Sequence, residues 1–271
     1  MQTGRMRYYS HQGRRTHPTT IVKRIGSGLV LPLAIVFIAS FIATGIVFVP
    51  TDYALEGGEL FIALGASALR LLSAFLLALV FGIPLGLLAE SNPRVEGMLL
   101  PVYDVLESMP ILAFFPVIIL FFIRSDFLEG AAVFILFYSM LWTIAFSVIG
   151  GMKTIPQDVQ AAGKVFGLSR WQRLKQITLP ALFPPLLTAS ILAVADGWNI
   201  VIVAETLHAY APHDVNAHDL FGIGSILVSA SASGNGQLLL VAMAFLVAFI
   251  ACVNVFVWQP LLSKAQRFKF E

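Results

Sequence analysis

A chain of 271 residues that is 58% hydrophobic and only 12% charged, with a mean hydropathy of +0.86, carries more apolar surface than a water-soluble core can bury. It is therefore read as an integral membrane protein. The net charge of +2 gives no reason to expect a nucleic-acid partner, and the single cysteine excludes an internal disulfide.

Residues 1–24 form a basic tail (Arg5, Arg7, Arg14, Arg15, Lys23, Arg24), followed by a hydrophobic run too long for a cleaved signal peptide. Six apolar stretches are expected to span the bilayer, at 28–49, 61–89, 98–123, 130–150, 179–206 and 237–259, giving an all-α polytopic protein with about six transmembrane helices. The membrane domain is bounded at 25–263, and 264–271 is a second tail. Cations fall on one side: the two tails, the 90–97 loop and the 151–178 loop hold 15 of the 17 Lys and Arg residues. Both termini and the 151–178 loop are therefore expected to be cytoplasmic. The opposite loops carry Asp52, Glu56, Glu59, Asp126, Glu129, Asp214 and Asp219.

Within the second span, Arg70 needs a partner or a wet cavity, because an unpaired guanidinium at membrane depth costs several kcal/mol. Gly82 and Gly86 form a small-x-x-x-small pair suited to close helix packing, and Pro84 bends the helix between them. In the third span Pro101, Pro110 and Pro116 argue against a straight helix, and Tyr103, Glu107 and Ser108 are candidates to line a path. Asp104 and Glu107 read equally well as solvated caps. Trp142, in the fourth span, is packing or a gate.

Between the fourth and fifth spans lies the one long polar interval, Gln160 to Pro180, with an apolar side (Val165, Phe166, Leu168, Trp171, Leu174, Ile177) and a basic side (Lys164, Arg170, Arg173, Lys175). Pro156 suits a helix start. Gly163 and Gly167 weaken a single continuous helix, so two short amphipathic helices are expected. In the fifth span Asp196, Gly197, Trp198 and Asn199 interrupt the hydrophobicity near mid-membrane, with Glu205 beyond them. Asp196 is expected either on a pathway or paired with Arg70. The 207–236 loop mixes His208, His213, Asp214, His218 and Asp219 at a spacing that fits no metal site. In the last span Cys252 reads as a small core residue, Asn254 as an interior polar group and Trp258 as an interfacial anchor.

The Gln160–Pro180 interval resembles the cytoplasmic loop of ABC importer permease subunits, which reads Glu-Ala-Ala, three residues, Gly, nine residues, Ile-x-Leu-Pro. Here Ala161, Ala162, Gly163, Gly167, Ile177, Leu179 and Pro180 hold those positions. Ala161 stands where the family has its glutamate. The second span is similar to that of the nitrate, sulfonate and taurine importers, with Ser67, Arg70, Gly82, Pro84 and Gly86 at the matching places. So are the Trp198 to Glu205 spacing and the element Phe221-Gly222-Ile223-Gly224-Ser225. The resemblance implies a permease that forms a translocation pathway for a small anion, with the loop, including Leu168 and Arg170, coupling it to two cytoplasmic ATPases. It also implies a second permease subunit, identical or related, an extracytoplasmic binding protein, and a bacterial inner-membrane location. No Walker A pattern occurs, so ATP and magnesium would be held by the partner chain; no catalytic residue, cofactor or metal is expected here. A stand-alone secondary transporter or channel, and a membrane scaffold, are the alternatives.

Overall fold

The computed structural model describes residues 56–124, 127–210 and 219–265. The first expected span, the basic tail, Asp52, Asp126, His213, Asp214 and His218 lie outside these, as does 266–271. The described chain is helical: α1 (Glu56–Ala89), α2 (Pro93–Ser108), α3 (Ile111–Arg124), α4 (Leu128–Lys153), α5 (Gln157–Val165), α6 (Arg170–Glu205), α7 (Ile223–Ala232) and α8 (Gly236–Ala265). Four of these, α1, α4, α6 and α8, are long and apolar enough to cross a membrane, and α2 with α3 makes a broken fifth span bent by 84°. These are the five later spans read from hydropathy. The break falls at Met109, whose extended backbone (φ −72°, ψ 121°) is what a following proline, Pro110, imposes.

Helix α4 is the hub. It is apolar all round, and Ile135, Leu136, Met140, Ile144 and Val148 are fully enclosed, as expected of a helix covered on every side. Against it α1 packs with almost no side-chain spacer. A Cβ on Gly86 would lie 2.6 Å from Val148 Cβ and 2.7 Å from the Ala145 carbonyl oxygen, and one on Gly82 would lie 2.9 Å from Ile144 Cγ2. The small-residue pair thus sets the distance between the two helices, and a side chain there costs roughly 1–3 kcal/mol of strain. On its other side α4 meets α6, where Gly197 lets Met140 and Leu71 close over the backbone. Helix α8 lies against α1 through edge-on ring pairs, Phe61 with Phe245 at 4.9 Å and Phe75 with Trp258 at 6.5 Å. The outward faces of α1, α3 and α8 carry large apolar side chains such as Leu69, Val80, Val117, Phe121, Val247 and Phe256. Cys252 and Asn254 are also exposed on α8 and are not core residues: polar or small character does not say which way a helix face turns.

Two long helices contain a widened π turn, Leu174–Thr178 in α6 and Asn254–Trp258 in α8. Each ends two residues before a proline, Pro180 and Pro260. A proline ring clashes with the carbonyl four residues earlier; those carbonyls belong to Gln176 and Phe256, inside the widened turns. One extra residue per turn moves them aside and lets the helix run on.

Candidate functional site

Two places stand out, one at each end of the bundle. At the α5 end the chain leaves α4 through a three-residue link and forms α5, which ends at Val165 and turns at Gly167. Gly167 has φ +64°, a left-handed conformation that a side chain disfavours. The Leu168 N–H closes the end by donating to the Gly163 carbonyl at 3.0 Å, the C-terminal cap that such a glycine permits. The next helix begins at once: Ser169 Oγ accepts from the Gln172 N–H at 3.2 Å, and Gln172 Oε1 accepts from the Ser169 N–H at 2.8 Å, a reciprocal capping box.

The expected second short helix is not separate. Arg170 to Thr178 is the first part of α6, which the hydropathy reading started at 179. Gly163 does not break α5 either; it is buried, and a Cβ there would sit 2.8 Å from Ile177 Cδ1, so it seats α5 on α6. Around the elbow Val165, Phe166 and Trp171 are 84%, 79% and 69% exposed, and Ala161, Ala162 and Arg170 are exposed with them. Leu168, Ile177 and Pro180 are half-buried and Leu179 is exposed. A Phe and a Trp both left open to water on one short polar segment carry a cost.

At the other end is a knot of charges. Arg70, buried in α1, donates from Nε to Glu129 Oε2 at 2.5 Å and from Nη2 to Glu129 Oε1 at 2.7 Å, while Nη1 donates to Glu205 Oε1 at 2.7 Å and Nη2 to the Phe221 carbonyl at 2.9 Å. Glu205 is fully enclosed and accepts two more bonds, from Ser67 Oγ at 2.6 Å and from the Gly224 N–H at 2.7 Å. Ser67 Oγ in turn accepts from the Ile223 N–H at 2.9 Å. The N-terminus of α7 therefore points at a buried carboxylate, the favourable end of a helix for an anion. The glycines of the Gly-x-Gly element make room: a Cβ on Gly222 would collide with the Glu205 carboxylate, and one on Gly224 would lie 2.7 Å from Ile202 Cα. Helices α1, α4, α6 and α7 are tied at one point.

This arrangement corrects the expected Arg70–Asp196 pair. Asp196 is exposed and has no hydrogen bond or ion pair among the described residues. It lies nine residues from Glu205, which at 100° per residue is half a turn away, so once Glu205 faces Arg70 the other acid faces outward. Glu129, a loop residue by hydropathy, is in the first turn of α4 and is the partner that hydropathy does not reveal. An acid at a helix start was the available signal.

The remaining pathway candidates divide by burial. Tyr103, Trp142 and Trp198 are interior packing: the Tyr103 and Trp142 rings meet at a tilt, 5.6 Å apart, and Trp198 meets Phe249 edge-on at 5.8 Å. Glu205 is sealed in the knot. Glu107, Ser108, Asp196 and Asn199 are exposed. His208 Nδ1 lies 2.6 Å from Asp219 Oδ1, a local pair beside the last turn of α6.

The family model described as "Binding-protein-dependent transport system inner membrane component" matches residues 82–267. The chain is 29% identical over 186 residues to the nitrate import permease protein NrtB of Leptolyngbya laminosa, covering 69% of this chain and 62% of that protein. It is 30% identical over 146 residues to the taurine transport system permease protein TauC of Escherichia coli (strain K12), covering 54% and 52%. The chain thus spans less than two thirds of the length of these curated relatives. In three dimensions it is similar to a chain of the MetNI methionine ABC transporter, solved in inward facing conformations, with a TM-score of 0.67 at 15% identity, covering 80% of this chain and 99% of that one.

Proposed function

The chain belongs to the family of binding-protein-dependent transport system inner membrane components, and on that premise we propose that it is the permease subunit of an ABC importer for a small anion of the nitrate, bicarbonate or taurine kind. The α5 end is cytoplasmic and the Arg70 knot lies toward the outside, the orientation favoured by the cation count. Two ATPase subunits dock on the elbows of two permeases, and an extracytoplasmic binding protein delivers the substrate. Asp196, Asn199 and Glu107 face water in the assembled pathway or the second permease, since a carboxylate on a lipid-facing surface costs about 2.5–3.5 kcal/mol or more.

The elbow carries this reading. A rigidly capped turn presents Phe166 and Trp171 beside Arg170 and Lys175 at the end of the bundle where the cations gather, which is the composition of a docking surface with aromatic anchors and a charged rim. Copurification tests it. The parent protein, extracted in mild detergent, is expected to bring down an ATPase chain. Gly167→Arg and Phe166→Asp are expected to lose that chain while remaining membrane-inserted, with uptake reduced by about a hundredfold, the loss given by removing a binding hot spot worth about 2–3 kcal/mol. Full retention of the ATPase by Gly167→Arg would falsify the docking role.

A further inference from the structure

Lys153, in the last turn of α4, is placed between the elbow and the broken span. Its ammonium lies 2.6 Å from Glu96 Oε1, in the first turn of α2, and 3.6 Å from Glu90 Oε1, just past the end of α1. That Glu90 oxygen is buried and has no hydrogen-bond partner. Two acids on two different elements therefore compete for one cation. A lysine at a helix C-terminus is favourable by itself, but that preference does not require acids brought in from α1 and α2. The ion pair is also a poor source of stability, because Lys153 is 53% exposed and exposed pairs contribute little.

Its surroundings suit transmission. Only Thr154, Ile155 and Pro156 separate Lys153 from α5, and the link is stiff: the Thr154 N–H donates to the Gly151 carbonyl at 3.2 Å, the Ile155 N–H to the Met152 carbonyl at 3.3 Å, and Ile155 is buried. A displacement of α5 is therefore delivered at Lys153. Among the described residues, helix α2, which receives it, is held to its neighbours by two polar links besides Glu96: Tyr103 Oη donates to the Leu85 carbonyl at 3.3 Å and Tyr138 Oη to the Leu106 carbonyl at 2.5 Å. It is cut from α3 by the bend at Met109. Apolar packing of Leu99, Leu100, Tyr103 and Leu106 against α1 and α4 supplies the rest of its hold, so a shift of α2 is one against α1 and α4 and not one that carries α3 rigidly along.

We propose that Lys153 is a coupling residue, one that passes movement of the docking elbow to α2 by exchanging its ammonium between Glu96 and Glu90. The step is a two-position switch of the kind packed helices use to amplify small shifts. It rests on the reading of α5 as the ATPase-docking element.

The test uses the full-length permease in complex with the ATPase that copurifies with it, in lipid nanodiscs. Cys252→Ser removes the native thiol, and Val105→Cys, on the exposed side of α2, carries a nitroxide spin label. In the parent the label's spectrum is expected to change between the nucleotide-free and ATP–vanadate-trapped states. With Lys153→Gln the ATPase still binds and hydrolyses ATP, but the spectral change is lost; Lys153→Arg keeps it. Glu96→Gln, which leaves Lys153 only Glu90, also loses it. The charge-reversed pair Lys153→Glu with Glu96→Lys regains part of it. An undiminished spectral change with Lys153→Gln or Glu96→Gln overturns the inference, as does loss of ATPase binding with Lys153→Gln, which would make Lys153 part of the docking surface. A parent that brings down no ATPase fails the docking reading itself and the inference with it.

Discussion

The two ends of the bundle use charge in opposite ways. At the knot, Arg70, Glu129 and Glu205 are gathered around one guanidinium that spends four of its five N–H groups. At the α5 end, Lys153, Arg170 and Lys175 are exposed, and among the described residues only Lys153 of the three has ion-pair partners, which it divides between two acids. A buried ion pair left with one member missing is costly, whereas an exposed one is worth little. The knot is therefore suited to holding helices together, and the opposite end to exchanging partners. Stability and coupling are expected to separate along the length of the molecule.

The sharpest way to break that separation is at Arg70. Arg70→Met leaves Glu205 enclosed without its cation and is expected to cost roughly 3–5 kcal/mol, read as a lower thermal midpoint and poor recovery from the membrane. Adding Glu205→Leu is expected to restore part of the loss, because it removes the orphaned charge; adding Asp196→Leu in its place is expected to restore none. Recovery through Asp196 would revive the pairing that the register excludes. Glu129→Gln should be much milder, about 1 kcal/mol or less, because its side chain is 47% exposed and water screens the pair. The measurement is the same melt, and a loss as large as that of Arg70→Met would mean that the half-open acid and the sealed one do the same work. Smallest of all is Asp196→Asn, expected to shift stability by no more than about 0.5 kcal/mol while changing uptake. A large stability loss there would show that this acid is paired inside the assembled permease.

Much of this was legible in the sequence, and the misses share a cause. Hydropathy located the five described spans because it sums over some twenty residues and tolerates errors at the ends. Gly167 and the Ile177–Pro180 spacing located the elbow, since a left-handed residue and a helix cap are local events. What failed were statements about direction. Asp196 and Glu205 are both acids in one span, and composition cannot tell which faces Arg70; half a turn of helix decides it. The chemistry of Cys252 and Asn254 suggests an interior place, and the face they occupy turns outward. Glu129 falls in a loop when the span is started at 130, two residues after the helix begins at Leu128. The Gly-x-Gly element was visible, but its reason, the close approach to the Glu205 carboxylate, requires knowing what α7 points at.

The widened turn before Pro180 has a consequence for the elbow's compass bearing. An α-helix advances by about 100° per residue, so the one residue added between Leu174 and Thr178 rotates everything upstream relative to the span downstream by about that angle. Trp171 and Arg170 therefore point into a sector that an unbroken helix would have assigned to a different part of the surface. Deleting a single residue there would swing the elbow by more than a quarter circle and bring the Pro180 ring back against the carbonyl four residues before it. The bearing of the elbow on the bundle is set by a proline's need for room nine residues from Trp171.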